Sequence, residues 1–262
     1  MAADSVGTAP DATSPFAPSS SPTAPVVVDL VLPCYNPPAG WAANLVAAMG
    51  RLQPLTPGTT WRVMVVNDGS ARGVTDADVE RLRTGLPGFT YVTYPINRGK
   101  GHALRTGISQ TSAPLVVFTD IDFPYEETSM ADVLRILRTG TADVATGARD
   151  ETYYASVPRR RVLISKLLRR ATRHLFGLAV SDTQAGLKGF NAAGRAVFLQ
   201  TTIDRYLFDL EFIFLASRAT AGLRVQPVPV RLKPGVVFSE MNARILLTES
   251  RSFARLLTAR FK

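Results

Sequence analysis

Leu115-Val116-Val117-Phe118-Thr119-Asp120-Ile121-Asp122 carries an apolar segment straight into two carboxylates. A short apolar run with no polar alternation fits a strand buried on both faces, as in a parallel sheet covered by helices. Ligands of open α/β sheets bind beyond the carboxyl ends of such strands. On a strand that continued through them, Asp120 and Asp122, two positions apart, would point to the same side. Two hard oxygen ligands suit Mg²⁺ or Mn²⁺, and such an ion completes its shell with water and substrate phosphate. The stretch therefore predicts a metal-bridged diphosphate. An Asp-x-Asp pair by itself more often marks a solvated turn, so the rest of the chain has to carry the reading.

Outward from this stretch, strand and helix signals alternate. Val26 to Leu32 and Trp61 to Val66 are rich in β-branched residues and run into Pro33 and into Asn67-Asp68-Gly69-Ser70. Trp41 to Leu52 and Asp76 to Leu86 show helical spacing of apolar residues. Phe89 to Tyr94 is a third strand, Lys100 to Ser109 a third helix, and Met130 to Arg138 a fourth helix after the strand Leu115 to Phe118. Asp143 to Thr146 and Arg224 to Val230 have strand character, whereas Arg160 to Phe176 and Asp209 to Ala221 have helical character. This order predicts an α/β fold with a mainly parallel sheet flanked by helices. We expect a disordered tail over 1–25, one domain over 26–233 and an amphipathic helical segment over 234–262.

The chain has 262 residues, 46% of them hydrophobic, and a net charge of +9. One cysteine, Cys34, excludes an intrachain disulfide and a cysteine-rich zinc site. The Ala/Ser/Thr/Pro-rich start lacks a basic segment followed by an apolar one, so it does not resemble a secretory signal. No run reaches the roughly 18 apolar residues of a membrane-spanning helix. The positive charge implies an anionic partner, whether a phosphorylated substrate, a lipid surface or nucleic acid. Nucleic acid is not expected, because the cations are not interleaved with aromatics as on a stacking surface.

Three polar loops, Cys34-Tyr35-Asn36, Asn67-Asp68-Gly69-Ser70 and Asp120-Ile121-Asp122, share one edge of a parallel sheet. Tyr35 offers a ring for stacking and Asp68 an acceptor for a base or ribose. Asn97-Arg98-Gly99-Lys100-Gly101-His102 opens a helix with glycines and two cations, a combination suited to phosphate. It is neither a Walker loop nor a dinucleotide fingerprint.

Together with Asp182-Thr183-Gln184-Ala185-Gly186-Leu187-Lys188-Gly189-Phe190, these motifs resemble family 2 glycosyltransferases, and within them the polyprenyl-phosphate (dolichyl-phosphate) mannose and glucose synthases. The resemblance runs in matching order from about Val26 to Val230. It implies a GT-A fold, a nucleotide-sugar donor and a divalent ion, Mg²⁺ or Mn²⁺, held by Asp120 and Asp122. It places Pro33, Tyr35 and Asp68 at the nucleoside and Asp120 with Asp122 at the diphosphate, Asp122 being favoured as the direct ligand; Asn36, Arg98 and Lys100 join them as candidates for binding the nucleotide sugar. Where many relatives carry Glu after Tyr-Asn, this chain has Pro37-Pro38, and Phe123-Pro124-Tyr125 follows its second Asp.

A lipid-phosphate acceptor is already ionised and needs cations to position it. Arg149 and the run Arg159-Arg160-Arg161 are the candidates, since guanidinium matches phosphate oxygens in pairs. Asp182 and Gln184 lie in the segment whose family counterpart is near the acceptor. Asp209 and Glu211 either favour the positive end of their helix or serve as general base if the acceptor is a hydroxyl. Arg160 to Phe176 and Asn242 to Lys262 both set an apolar stripe beside arginines, a design that suits an anionic membrane surface or a protein core. The expectation is an inverting, metal-dependent transfer of a hexose to polyprenyl phosphate. It would take place on the cytoplasmic face of a membrane, by a peripheral protein with a possible separate membrane protein as partner.

Overall fold

A computed structural model describes residues 25–149, 170, 175, 182, 185–219, 222–236 and 253. Its strands are β1 (Val26–Cys34), β2 (Thr59–Asp68), β3 (Thr90–Tyr94), β4 (Leu115–Phe118), β5 (Val144–Ala148), β6 (Lys188–Asn191) and β7 (Val225–Pro229). The helices among the described residues are α1 (Trp41–Leu55), α2 (Asp76–Gly85), α3 (Lys100–Ile108), α4 (Glu127–Arg138), α5 (Ala192–Phe198) and α6 (Phe208–Arg218). The strands form one sheet in the order β3-β2-β1-β4-β6-β5-β7. Only β6 runs against its neighbours, β4 and β5.

Side-chain alternation explains the layers. In β1, Val28, Leu30 and Leu32 face a core shared with α1 and α4, and Leu82 of α2 joins them. Val31, with Met64 and Val66 of β2 and Val116 and Phe118 of β4, faces the opposite core, filled by α3, α5 and α6. Both faces of the sheet are thus covered, and β1 and β4 at its centre are almost wholly apolar. The exception in β1 is Asp29, 5% exposed, which pairs through both oxygens with Arg62 and accepts the amides of Ser112 and Ala113. α2 begins with a capping box in which Thr75 and Asp78 satisfy each other's amides.

The expected strand of Leu115–Phe118 is found with the same limits, and the mainly parallel sheet flanked by helices is found as read. β6 and α5 were not foreseen as elements. β6 is four residues, Lys-Gly-Phe-Asn, with no apolar alternation to announce it. The helix expected over Arg160 to Phe176 lies outside the described residues except for Arg170 and Leu175, which are helical and exposed. Of the segment from Asn242 to Lys262, only Phe253 is described. It is helical, half-buried, and packed against the core layer of α3, α5 and α6. The tail over 1–24 also lies outside the described residues.

Candidate active site

The sheet order creates a crevice. From β1 the chain moves outward through β2 and β3, then returns to place β4 on the other side of β1, so the loops after β1 and β4 diverge at a topological switch point. The antiparallel direction of β6 adds a third contributor. Its first residue, Lys188, lies opposite Phe118 of β4 and Thr146 of β5, so the segment leading into β6 arrives at the same edge at which β4 and β5 end. The Asp-x-Asp turn, Arg149 and the segment ending in Gly186-Leu187 are all delivered to this edge.

β4 ends at Phe118, the limit read from the sequence, so Asp120 and Asp122 lie beyond the strand and not on a continuation of it. Its partner β6 begins opposite that residue, leaving no ladder on that side beyond it. The chain turns instead, the Phe123 amide donating to the Asp120 carbonyl at 3.0 Å with Phe123 in a left-handed conformation (φ +48°). Asp120 Oδ1 lies 2.5 Å from Lys100 Nζ. Its Oδ2 faces Gly186, where a Cβ would overlap the carboxylate. Gly186 is itself held by its amide donating to the Tyr125 hydroxyl at 3.1 Å. Desolvation by the cleft and repulsion from Asp120 hold Asp122 above the usual carboxylate range. Because Asp122 is solvent-exposed, the repulsion between the two acids is the firmer cause. Two neighbouring carboxylates, one raised by the other and both reachable from solvent, suit a hard divalent ion whose remaining ligands are phosphate and water. Among the described residues no cluster of three or more acidic, histidine or cysteine side chains supplies a fuller protein shell.

Behind this pair lies a second one. Lys188 is fully buried, donating to Asp209 Oδ1 at 2.6 Å and to the Ala185 carbonyl at 2.7 Å. Burial pushes the Lys188 ammonium down and the Asp209 carboxyl up, and their mutual attraction opposes both shifts. Burial also opposes the charge on Lys100, but Asp120 and then Asp209 outweigh it, and the ammonium is held above the usual lysine value. Two lysines and two aspartates thus alternate from the crevice into the core.

The loops expected to hold a nucleotide are braced by the residues expected to contact it. Asp68, 2% exposed, accepts the amides of Arg98 and Gly99, each at 2.8 Å, and the Asn97 side chain at 2.8 Å. Asn36 accepts the amides of Ala71 and Arg72 through its side chain, while its own amide donates to the Ser70 hydroxyl. Pro33 is half-buried at the end of β1, and Tyr35 is left 51% exposed beside these loops. The first amides of α3 are not free for phosphate, contrary to expectation: those of Gly101 and His102 donate to the Asp204 carbonyl at 2.7 and 3.2 Å. The glycines serve that packing, since a Cβ at Gly99 would lie 2.5 Å from the Asp204 carbonyl oxygen. With those two amides spent, the side chains of Arg98 and Lys100 are the cations that this helix start offers an anion.

Arg149 forms a two-pronged pair with Asp182, Nε to Oδ2 and Nη2 to Oδ1, both at 2.7 Å, and its amide adds a third bond at 2.9 Å. Both oxygens of Glu211 are engaged by Thr202 and Ile203, tying down the loop that carries Asp204. Gln184, Arg159, Arg160 and Arg161 lie outside the described residues.

A family model described as glycosyl transferase family 2 matches residues 29–198, from β1 to the end of α5. The chain belongs to glycosyl transferase family 2. Among curated relatives of this family-2 chain, the dolichyl-phosphate beta-glucosyltransferase of Saccharomyces cerevisiae is 25% identical over 224 residues, covering 78% of this chain and 66% of that protein. The human protein of the same name is 28% identical over 207 residues, 72% of this chain and 63% of its own length. Glycosyltransferase AglD of Haloferax volcanii is 26% identical over 219 residues, 83% of this chain and 35% of its own. The chain therefore spans about two thirds or less of the length of these relatives. The fold is similar to that of glucosyl-3-phosphoglycerate synthase from Mycobacterium tuberculosis, solved with uridine diphosphate, with a TM-score of 0.61 and 19% identity over 90% of this chain and 80% of that one. The same enzyme was solved with Mn²⁺, uridine diphosphate and glucosyl-3-phosphoglycerate, with a TM-score of 0.58 and 18% identity.

Within this family-2 fold, sequence reasoning missed Lys188, Gly186 and Asp204 as parts of the site's support. A lysine inside a core-facing strand, with an acid at the start of a later helix, was the one available signal for the buried pair. Nothing local marks the Asp204 carbonyl, since it acts through its backbone.

Proposed function

We propose that this chain transfers a hexose, with inversion, from a nucleotide sugar to polyprenyl phosphate, using Mg²⁺ or Mn²⁺. The observation that carries this is the meeting of two chemistries at one sheet edge: Asp120, Asp122 and Lys100 for a diphosphate, and Arg149 braced by Asp182 for an acceptor. Tyr35 would stack on the nucleoside, and Arg98 and Lys100 would face the diphosphate. A divalent ion held by Asp120 and Asp122 would supply charge neutralisation of the leaving nucleoside diphosphate. The dolichyl-phosphate names of the relatives support the acceptor, and the uridine diphosphate and Mn²⁺ bound to the mycobacterial enzyme support the donor and ion.

The engagement of the two candidate bases favours a phosphate acceptor over a hydroxyl. Asp209 is committed to Lys188 in the core, and Glu211 to three donors of a loop. A phosphate oxygen, already ionised, needs neither. The acceptor would be met at an anionic membrane face, with a separate membrane protein as possible partner. Among the described residues no helix is long and apolar enough to cross a membrane.

The test is incorporation of radiolabelled sugar from UDP-glucose or GDP-mannose into organic-extractable polyprenyl phosphate, with phosphoglyceric acid as a water-soluble acceptor in parallel. Metal-dependent lipid product that is lost in Asp122→Ala is expected. Product on the soluble acceptor alone would overturn the lipid reading.

A further inference from the structure

The first acid of the Asp-x-Asp turn already carries a cation. Lys100 Nζ approaches Asp120 Oδ1 at 2.5 Å, and the other oxygen faces Gly186, on which a methyl group would collide with it. A cation that comes to Asp120 meets an ammonium already in contact with its carboxylate. We propose that Lys100 is a resident counter-ion of Asp120 that a divalent ion must displace, so that the ion is taken up together with the nucleotide diphosphate and not ahead of it. This rests on the nucleotide-sugar reading above.

Two further observations carry the exchange. Displaced from Asp120, the ammonium needs another anion within its reach. Asp209 is the neighbouring acid, but its Oδ1 is held by Lys188 at 2.6 Å in a fully buried pair. Two of the amides that open α3, those of Gly101 and His102, are spent on the Asp204 carbonyl and cannot recruit the diphosphate in place of Lys100. Lys100 is then placed both to leave the carboxylate and to meet the phosphate. Charge balance points the same way. Lys100 offsets one of the two charges of Asp120 and Asp122, and Lys233 also acts on Asp122, which leaves too little negative charge to hold a divalent ion beside the ammonium. A diphosphate supplies what is missing and draws the lysine off. Asp120 is 36% exposed in its side chain and Lys100 20%, so solvent and ligand reach both.

Mn²⁺ binding, followed by loss of the electron paramagnetic resonance signal of the free aqueous ion, tests this without turnover. Wild type should bind Mn²⁺ weakly alone and at least about tenfold more tightly with UDP, the scale of one charge-assisted hydrogen bond. Lys100→Gln should tighten Mn²⁺ binding without UDP by about tenfold and shrink the UDP-linked gain by a similar factor. Lys100→Arg, which keeps the cation, should follow wild type. Asp120→Asn added to Lys100→Gln should remove the gained affinity. Unchanged or weaker Mn²⁺ binding by Lys100→Gln, identical behaviour of the Gln and Arg variants, or a gain that survives Asp120→Asn would each overturn the proposal. Because neither acceptor nor sugar enters the experiment, failure of lipid transfer in the assay above leaves its outcome untouched.

Discussion

Lys188→Met keeps the aliphatic stem in the core and removes the ammonium, leaving Asp209 buried with no cation bonded to it. Lys188 is 0% exposed and Asp209 6% in their side chains, so water cannot replace the lost charge. Removing one partner of a buried pair costs about 3–5 kcal/mol, because the survivor keeps its desolvation penalty. At 2–4 °C per kcal/mol for a chain of about this size, the melting temperature should fall by on the order of 10 °C. The loss should also depend on pH. Without Lys188 the Asp209 carboxyl, already above its usual value, rises further. A carboxyl raised in the folded state favours folding while protonated, and that contribution fades as pH rises from its unfolded value toward its folded one. Urea unfolding should therefore find the variant nearer wild type at pH 5 than at pH 8. Lys188→Met/Asp209→Leu, which removes both charges, should recover most of the loss. A single variant within roughly 1 kcal/mol of wild type at both pH values, or a double variant weaker than the single, would refute the reasoning.

Gly186→Ala would press a methyl group against Asp120, whose Cγ would lie 3.2 Å from the new Cβ. A carboxylate moved by about 1 Å loses on the order of 10²-fold in rate where position matters, so kcat/KM for sugar transfer should fall on that scale while the melting temperature changes little. Parallel losses in stability and rate would show that the glycine supports the fold and not the carboxylate. Away from the site, Arg224 holds the Asp143 carboxyl at about 2 against an ordinary 3.8. A lowered carboxyl stabilises the folded state above its unfolded value and loses that contribution as pH falls through the folded one. Arg224→Gln should thus be less stable than wild type at pH 6, and the gap should close between about pH 4 and pH 2. A gap that persists at pH 2 would assign the effect to packing.

The elements most legible in the sequence were those decided by local pattern. β4 stands out because four apolar residues end in acids, and α4 because its apolar residues recur at helical spacing. β6 was hidden because it is short, contains a glycine and starts with a lysine whose charge is balanced by an acid on α6, 21 residues away. At the site, positions were more legible than roles. Asp68 and Asn36 were located correctly at the sheet edge, yet their hydrogen bonds go to backbone about 30 residues or more away, a fact no local window contains. The glycines of the Asn97-to-His102 loop looked like a phosphate cradle, and in the fold they admit the backbone at Ile203 and Asp204.

The reversal of β6 has a consequence for how this chain can vary. The connection from β5 to β6 leaves the sheet and re-enters it at one edge, and its two ends are stapled together by Arg149 and Asp182. Whatever length or sequence that connection has, its neck is fixed beside the crevice, and doubling a loop closed in this way costs only about 0.6 kcal/mol. The architecture thus behaves as a socket. The strands on either side keep their register, so a stretch of different length or sequence between Arg149 and Asp182 can be accommodated without disturbing the ladder.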